Sequence, residues 1–142
     1  MSLCFLSLET SKVFNELILK ELEKDGYEGL SSSLITIFPY IDEYKDISIS
    51  NLAKKLGYSR QAMHKNLKKL EELEYLNFSS SINKKEKTVL LTQKSQTLII
   101  KANEYIQKVQ NELTDVIGED ELNNYIKTQS IIYDFLNNKN KA

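Results

Sequence analysis

Apolar side chains recur every three or four residues along most of the chain, which is the spacing of one face of an α-helix. Near the start, the positions that follow this spacing are Val13, Phe14, Leu17, Ile18 and Leu22. They predict an amphipathic helix from Glu9 to about Lys24, which ends at Gly26.

A second helix is predicted to begin at a serine cap in the segment LSSS. It places Leu34, Ile37, Phe38 and Ile41 on one face. Pro39 lies inside this stretch and has no N–H to bond to the carbonyl of Ile35. Because its ring also crowds that turn, the helix should kink or stop near Phe38.

The segment ISISNLAKKLG predicts a third, short helix. Ser48 can cap it, and Gly57 suits the left-handed position after its last turn. Its apolar stripe consists of Ile49, Leu52, Ala53 and Leu56. Ser59 then caps the next helix after a very short link.

In that next helix one face is apolar and the other is polar and basic. The apolar positions are Met63, Leu67, Leu70 and Leu73, and the polar ones are Gln61, His64, Lys65 and Lys68. Two helices joined by a turn with glycine form a helix-turn-helix arrangement. The second helix is the one that would enter a major groove.

After Glu74 the helical spacing ends. The segment YLNFSSSINKKEKTVLLT contains two short runs, Tyr75–Phe78 and Lys87–Leu91, separated by a polar tip. They predict a β-hairpin with a basic loop, or wing. Its lysines Lys84 and Lys85 can meet phosphates or a minor groove.

The C-terminal part predicts two further helices with apolar stripes. The first stripe is Leu98, Ala102, Ile106, Val109, Leu113 and Ile117, and the second, after Gly118, is Leu122, Tyr125, Ile126, Ile132 and Leu136. The first stripe is close to coiled-coil spacing. Because so small a domain has little surface of its own to cover these helices, we expect a symmetric dimer interface.

Charge is distributed unevenly in this 142-residue chain, whose net charge is −1 and which is 41% apolar. Residues 47–96 hold ten basic and four acidic side chains, a net charge of +6, and the remaining residues carry −7. A basic middle between acidic ends is typical of a nucleic-acid-binding module. The alternative is that the lysines only solvate helix faces.

Catalytic and metal chemistry find little support in the composition. The one cysteine, Cys4, cannot form an intramolecular disulfide, and the one histidine, His64, has no companions from which a metal site could be built. We therefore expect no enzyme and no cofactor. The N-terminal run has neither a secretory leader nor an apolar stretch near the roughly 20 residues of a membrane span, which predicts a soluble cytoplasmic protein without a membrane partner.

From Gly29 to about Ser95 the chain resembles the multiple-antibiotic-resistance regulator (MarR) family of dimeric winged-helix transcription factors. The matching segments are GLSSS, NLAKKLGYSRQAMHKNLKKLEE and NKKEKTVLLTQKS. The resemblance implies a mainly α fold with a small β-hairpin wing, in one domain, 1–142. Residues 29–94 would form the DNA-binding lobe, and 1–28 and 95–142 the dimerisation helices. It also implies a homodimer that binds double-stranded DNA at a pseudo-palindrome, by default as a repressor.

The resemblance and the polar face together name the residues expected to contact DNA. They are Ser59, Arg60, Gln61, Ala62, His64, Lys65, Lys68 and Lys69 in the second helix, and Asn83, Lys84, Lys85 and Lys87 in the wing. Arg60 is the only arginine among 19 basic residues, which favours a phosphate or guanine contact over an ordinary surface cation. His64 is expected to face the groove, with a merely solvated histidine as the alternative.

Five positions depart from the family pattern. Asn83 and Lys85 stand where the family commonly has an Asp-x-Arg pair, so the wing keeps its charge but loses the planar guanidinium fork. Glu74 and Ser95 replace two glycines. Pro39 also falls where the family has an uninterrupted helix.

Two features bear on regulation. The aromatic residues Tyr27, Phe38, Tyr40 and Tyr44 lie where small aromatic or lipophilic effectors of the family would bind, although core packing also accounts for them. Some relatives sense oxidants through an N-terminal cysteine, but the segment around Cys4 supplies no nearby cation to lower the pKa of a thiol. A protein-interaction module and a thiol-based redox regulator using Cys4 are the alternative functions.

Overall fold

The computed structural model describes residues 1–79 and 87–141, which form seven helices and two strands. The helices are α1 (Leu3–Lys24), α2 (Ser32–Ile35), α3 (Ile37–Glu43), α4 (Ile49–Leu56), α5 (Arg60–Glu72), α6 (Gln93–Ile117) and α7 (Glu119–Lys141), and the strands are β1 (Leu76–Ser79) and β2 (Thr88–Leu91). The expected mainly α fold with a small hairpin is confirmed. Within these residues no helix is long and apolar enough to cross a membrane.

The chain divides into two compact units, Met1–Asn103 and Glu104–Ala142. The first contains the helix-turn-helix and the hairpin around one hydrophobic core. In the second, Gly118 adopts a φ of 90° between the end of α6 and the start of α7. Both C-terminal helices predicted from the apolar stripes are present.

Helix α1 begins six residues earlier than predicted, at Leu3 instead of Glu9. Ser2 caps it, since its hydroxyl accepts a hydrogen bond from the backbone N–H of Phe5 at 3.0 Å. The first apolar residues of α1, Leu3, Phe5, Leu6 and Leu8, point in several directions around a helix, so the sequence there shows no one-sided stripe to mark it. The predicted end is confirmed by Gly26, whose φ is 92°.

The helix around Pro39 is interrupted, as predicted, but at Thr36 instead of near Phe38. Helix α2 ends at Ile35, whose carbonyl is the one that the nitrogen of Pro39 cannot bond to. Pro39 then lies in the first turn of α3, where a backbone N–H has no partner within the helix. The break therefore falls one turn before the proline.

The helix-turn-helix is confirmed at its caps and turn. The hydroxyl of Ser48 accepts from the N–H of Asn51 at 3.1 Å, and that of Ser59 from the N–H of Ala62 at 3.1 Å. Gly57 ends α4 in the left-handed region with a φ of 74°. These local devices set where α4 stops and where α5 begins.

Tyr75 links the core to the loop before α2. Its side chain is fully buried, and its hydroxyl donates a hydrogen bond to the carbonyl of Glu28 at 2.9 Å. Its ring packs edge-on against that of Phe38, with the two ring centres 5.8 Å apart. Burial raises the pKa of Tyr75, and the neighbouring Tyr27 and Glu28 raise it further. The phenol therefore remains a hydrogen-bond donor at neutral pH.

The hairpin has the predicted runs to within one residue. Its antiparallel ladder extends from the pair Leu76 and Leu91 to the pair Ser79 and Thr88. A bridge between Ser48 and Thr88 ties the first residue of β2 to the N-cap of α4. Residues 80–86, which include the predicted tip, lie outside the described residues.

Candidate DNA-binding surface

Helix α5 presents the polar face that the sequence predicted. Met63, Leu67 and Leu70 are fully buried and fix the rotation of the helix about its axis. The opposite side chains are all exposed, namely Gln61, His64, Lys65, Lys68 and Lys69. The result is a continuous polar and basic surface on one well-anchored helix.

Arg60, the first residue of α5, is exposed but held in place. Its Nη2 donates a hydrogen bond to the hydroxyl of Ser50, on α4, at 2.6 Å. Ser59 is exposed and acts as the helix cap, while Ala62 is half-buried. The start of α5 therefore presents an exposed guanidinium whose position depends on another helix.

His64 does not stand alone on the polar face. Its ring lies 5.7 Å from that of Phe78 on strand β1, at an interplanar angle of 36°. This contact connects the middle of α5 to the wing.

No group of three or more His, Cys, Asp or Glu side chains suited to a metal ion occurs in residues 1–79 and 87–141.

A cleft of about 660 Å³ lies between the start of α2 and the flank of α5. Its lining residues are Ser31, Ser33, Leu34, Lys65, Asn66, Lys68, Lys69 and Glu72. Ser31 caps α2 by accepting from the N–H of Leu34 at 3.3 Å, and the Ser33 hydroxyl lies 3.1 Å from that of Ser31. Two serines and three lysines thus line one cleft together with Glu72, and hydroxyl and ammonium donors are groups that suit a phosphate oxygen.

The two serines of this cleft were not among the sequence-predicted DNA contacts. The segment LSSS predicted a helix start, and a cap is a local feature that does not show what lies across from it. Of the cleft lysines, Lys68 forms an exposed ion pair with Glu71 at 3.6 Å. Such surface pairs are weak, so Lys68 stays available to a phosphate.

The end of α5 is fastened to the start of α6. The ammonium of Lys94 donates to the carbonyl of Leu73 at 2.9 Å and lies 4.2 Å from the centre of the Tyr75 ring. The hydroxyl of Thr92 donates to the carbonyl of Glu74 at 2.8 Å. Glu74, at the first of the two glycine positions of the family, has a φ of 67°.

Ser95, at the second glycine position, is fully buried. Its hydroxyl donates to the carbonyl of Thr92 at 3.1 Å. The first turn of α6 therefore contains a small side chain whose polar group has a partner. In the wing, Lys87 is exposed and its carbonyl accepts from Ile49 at 3.3 Å, whereas the predicted contacts Asn83, Lys84 and Lys85 lie outside the described residues.

The four aromatic residues considered for an effector pocket form two separate groups. Tyr27 and Phe38 are buried in the core. The rings of Tyr40 and Tyr44 stack with their centres 6.4 Å apart. Tyr44 is 43% exposed, and the ammonium of Lys55 lies 4.2 Å from the centre of its ring. Only the second pair is open to a ligand.

A second groove, of about 680 Å³, lies among α3, β2 and the first part of α6. It is lined by Ile41, Asp42, Lys45, Asp46, Val89, Leu90, Leu91, Gln96, Ile99, Ile100 and Asn103 and by none of the four aromatic residues. Cys4 is an exposed free thiol in α1.

Comparison with known proteins identifies the fold. No protein-family model matches the sequence, and no curated protein matches it. Among solved structures, the chain is similar to Staphylococcus aureus MarR in complex with salicylate and kanamycin, with a TM-score of 0.74, 20% identity and coverage of 93% of this chain and 89% of the other.

It is also similar to Streptococcus pneumoniae FabT in complex with DNA, with a TM-score of 0.73, 18% identity and coverage of 96% and 99% of the two chains. For a MarR family protein from Bacillus stearothermophilus the TM-score is 0.78, at 12% identity and coverage of 95% and 91%. The chain therefore has the fold of the MarR-family transcription regulators, which confirms the resemblance at the level of the fold.

Proposed function

We propose that this chain is a member of the MarR family that binds double-stranded DNA as a homodimer and regulates transcription. The observation that carries the proposal is the exposed polar face of α5, set on a helix whose other face is fully buried. In a helix-turn-helix this is the helix that enters the major groove. Residues 29–94 would form the DNA-binding lobe, with 1–28 and 95–142 as the dimerisation region.

Affinity for DNA would come mainly from the phosphate backbone. The net charge of +6 over residues 47–96 favours binding to any duplex, because each lysine that meets a phosphate releases a counterion. The cleft beside α5 adds the hydroxyls of Ser31 and Ser33 to the ammonium groups of Lys65 and Lys69. We assign this cleft to the sugar-phosphate backbone at the edge of the groove.

Sequence specificity would come from Arg60, Gln61 and Lys65. Arginine and lysine suit the acceptors of guanine in the major groove, and glutamine suits adenine, with about 1 to 3 kcal/mol of discrimination for each good bidentate contact. All three side chains are exposed on α5. The wing, through Lys87 and its tip lysines, would contact the flanking backbone or the minor groove.

Dimerisation is supported by apolar side chains that the described structure leaves exposed on the terminal helices. On α1 they include Leu3, Phe5, Leu6, Leu8 and Val13, and on α7 Tyr125, Ile126, Ile131, Tyr133, Phe135 and Leu136. Helices with this much exposed apolar surface need a partner, and a second copy of the chain is the simplest one. Two recognition helices about 34 Å apart would then read a pseudo-palindrome.

Repression by occupying a promoter, with release by a small aromatic effector, is the regulatory mode we propose. It is supported by the similar S. aureus protein, whose structure contains salicylate. In this chain the half-buried Tyr40 and the exposed Tyr44 stack, and the ammonium of Lys55 over the Tyr44 ring places a cation where an aromatic acid could bind. A cytoplasmic location is part of the same proposal.

The test is selection of binding sites from random duplexes, followed by a salt titration on the enriched sequence. We expect a two-fold symmetric site and an affinity that falls steeply with salt. Lys65→Ala should weaken binding, whereas Lys12→Ala, which removes an exposed lysine from α1, should not. If no symmetric sequence is enriched at moderate salt, the protein is no sequence-specific regulator, and a protein-interaction module becomes the better hypothesis.

A further inference from the structure

We infer that Ser50 is a positioning residue for Arg60 and thereby helps to determine which base sequence the protein prefers. The inference rests on the proposed function, since it concerns how the DNA-binding surface reads its site. It assigns a role to a residue of α4, the helix that precedes the recognition helix.

The hydrogen bond between the two side chains depends on the helix-turn-helix geometry. Ser50 lies in the first turn of α4, and Arg60 is the first residue of α5. Between them, the left-handed Gly57 and the bond from the N–H of Tyr58 to the carbonyl of Ala53, at 2.9 Å, fix the path of the turn. Ser50 and Arg60 are ten positions apart in the sequence, yet Nη2 of Arg60 lies 2.6 Å from the hydroxyl oxygen of Ser50.

The chemistry of this contact suits a residue that positions the guanidinium of Arg60 better than one that neutralises its charge. A guanidinium has five N–H donors, and the serine hydroxyl accepts one of them, which leaves four for DNA. The hydroxyl carries no charge, and within the described residues Arg60 has no carboxylate partner at ion-pair distance. Arg60 therefore keeps its full attraction for DNA while its side chain loses freedom.

Restricting a flexible side chain before binding lowers the entropic cost of the contact that it makes. For one long side chain the general range corresponds to a change of about threefold to tenfold in affinity. The gain is realised only where the geometry of the guanidinium matters, which is at a bidentate contact with a specific base. Long-range attraction to phosphates depends on the charge of Arg60, so restricting its side chain does not change that attraction.

The experiment is a double-mutant cycle on the full-length protein. Ser50→Ala, Arg60→Ala and the double variant are compared with the original chain on the enriched duplex and on one with the base pair under α5 exchanged. We expect Ser50→Ala to reduce the ratio of the two affinities by about threefold to tenfold and to leave the salt dependence unchanged. In the Arg60→Ala background the same substitution should have no further effect, and Ser50→Thr, which retains the hydroxyl, should preserve the ratio.

Other outcomes overturn the inference. An equal loss in both backgrounds would show that Ser50 acts on DNA without Arg60, and an unchanged ratio would show that it positions nothing. A uniform loss on both duplexes together with a lower melting temperature would indicate a structural role in α4. If the original chain enriches no sequence at all, the proposed function fails too, whereas loss of coupling in a protein that does select a site overturns the inference alone.

Discussion

Glu74, the second residue after α5, has a left-handed conformation with a φ of 67°. Its neighbours hold it there. The carbonyl of Glu74 accepts from Thr92 at 2.8 Å, and the N–H of Tyr75 donates to the carbonyl of Leu70 at 2.9 Å. Because this conformation disfavours residues with a Cβ, we expect Glu74→Gly to stabilise the fold.

The size of the effect follows from two opposing terms. Relief of the left-handed conformation contributes about 1 to 2 kcal/mol in favour of glycine. Glycine also gains freedom in the unfolded chain, which removes about 0.4 to 1 kcal/mol of that gain. With the middle of each range, the net expectation is an increase of about 0.8 kcal/mol in the free energy of unfolding, or a rise of about 2 to 4 °C in melting temperature for a chain of this size.

The assay is urea unfolding followed by circular dichroism, at one fixed protein concentration because the proposed dimer would be stabilised by its own association. Glu72→Gly is the matched control, since it makes the same substitution two residues earlier, in the last residue of α5. There the backbone is helical and glycine should destabilise the protein by about 0.5 to 1 kcal/mol. If both variants lose stability equally, the left-handed conformation of Glu74 carries no strain and the reasoning is wrong.

Three further predictions concern other contacts. Tyr75→Phe should cost about 0.5 to 1.5 kcal/mol through loss of its hydroxyl bond. Because burial raises the pKa of Tyr75 above its ordinary 10.0, its contribution to stability should be complete below pH 10 and decline as the pH rises further, and urea titrations should show a smaller alkaline decline in the variant. Lys94→Met removes a hydrogen bond and a cation–π contact, so unfolding should need about 1 kcal/mol less; an unchanged midpoint would refute this. Phe135→Lys should shift the protein toward monomer in sedimentation at micromolar concentration, while Gln129→Lys, which adds the same charge to α7 at a polar position, should not.

The sequence predicted the helices and strands between residues 29 and 94 wherever the signal was local. Ser48 and Ser59 act on N–H groups only three residues away, so their capping could be inferred from the neighbouring residues alone. The buried stripe of α5 repeats every three or four residues, and its period determines which face is left exposed. The residues of that face therefore followed from the spacing of the stripe.

Local signals failed where an element lacks a one-sided pattern or where a break can be accommodated in more than one way. The apolar residues in the first turns of α1 are spread around the helix instead of lying on one face, so nothing in their spacing marked the helix. Pro39 indicated that the helix is interrupted, but the sequence did not show at which residue the interruption falls. In the structure the helix is interrupted at Thr36, so that the missing N–H of Pro39 lies in the first turn of α3.

By itself, then, the sequence determined the helical elements, the basic middle of the chain and the polar face of α5, because caps, periodicity and charge act over a few residues. Only the tertiary structure decided how that face is supported. It brought Ser50 to Arg60, Phe78 to His64, and the serines of α2 to the lysines of α5. These contacts join residues that are far apart in the sequence, and they depend on the angle at which two helices or a helix and a strand pack, which no local spacing records.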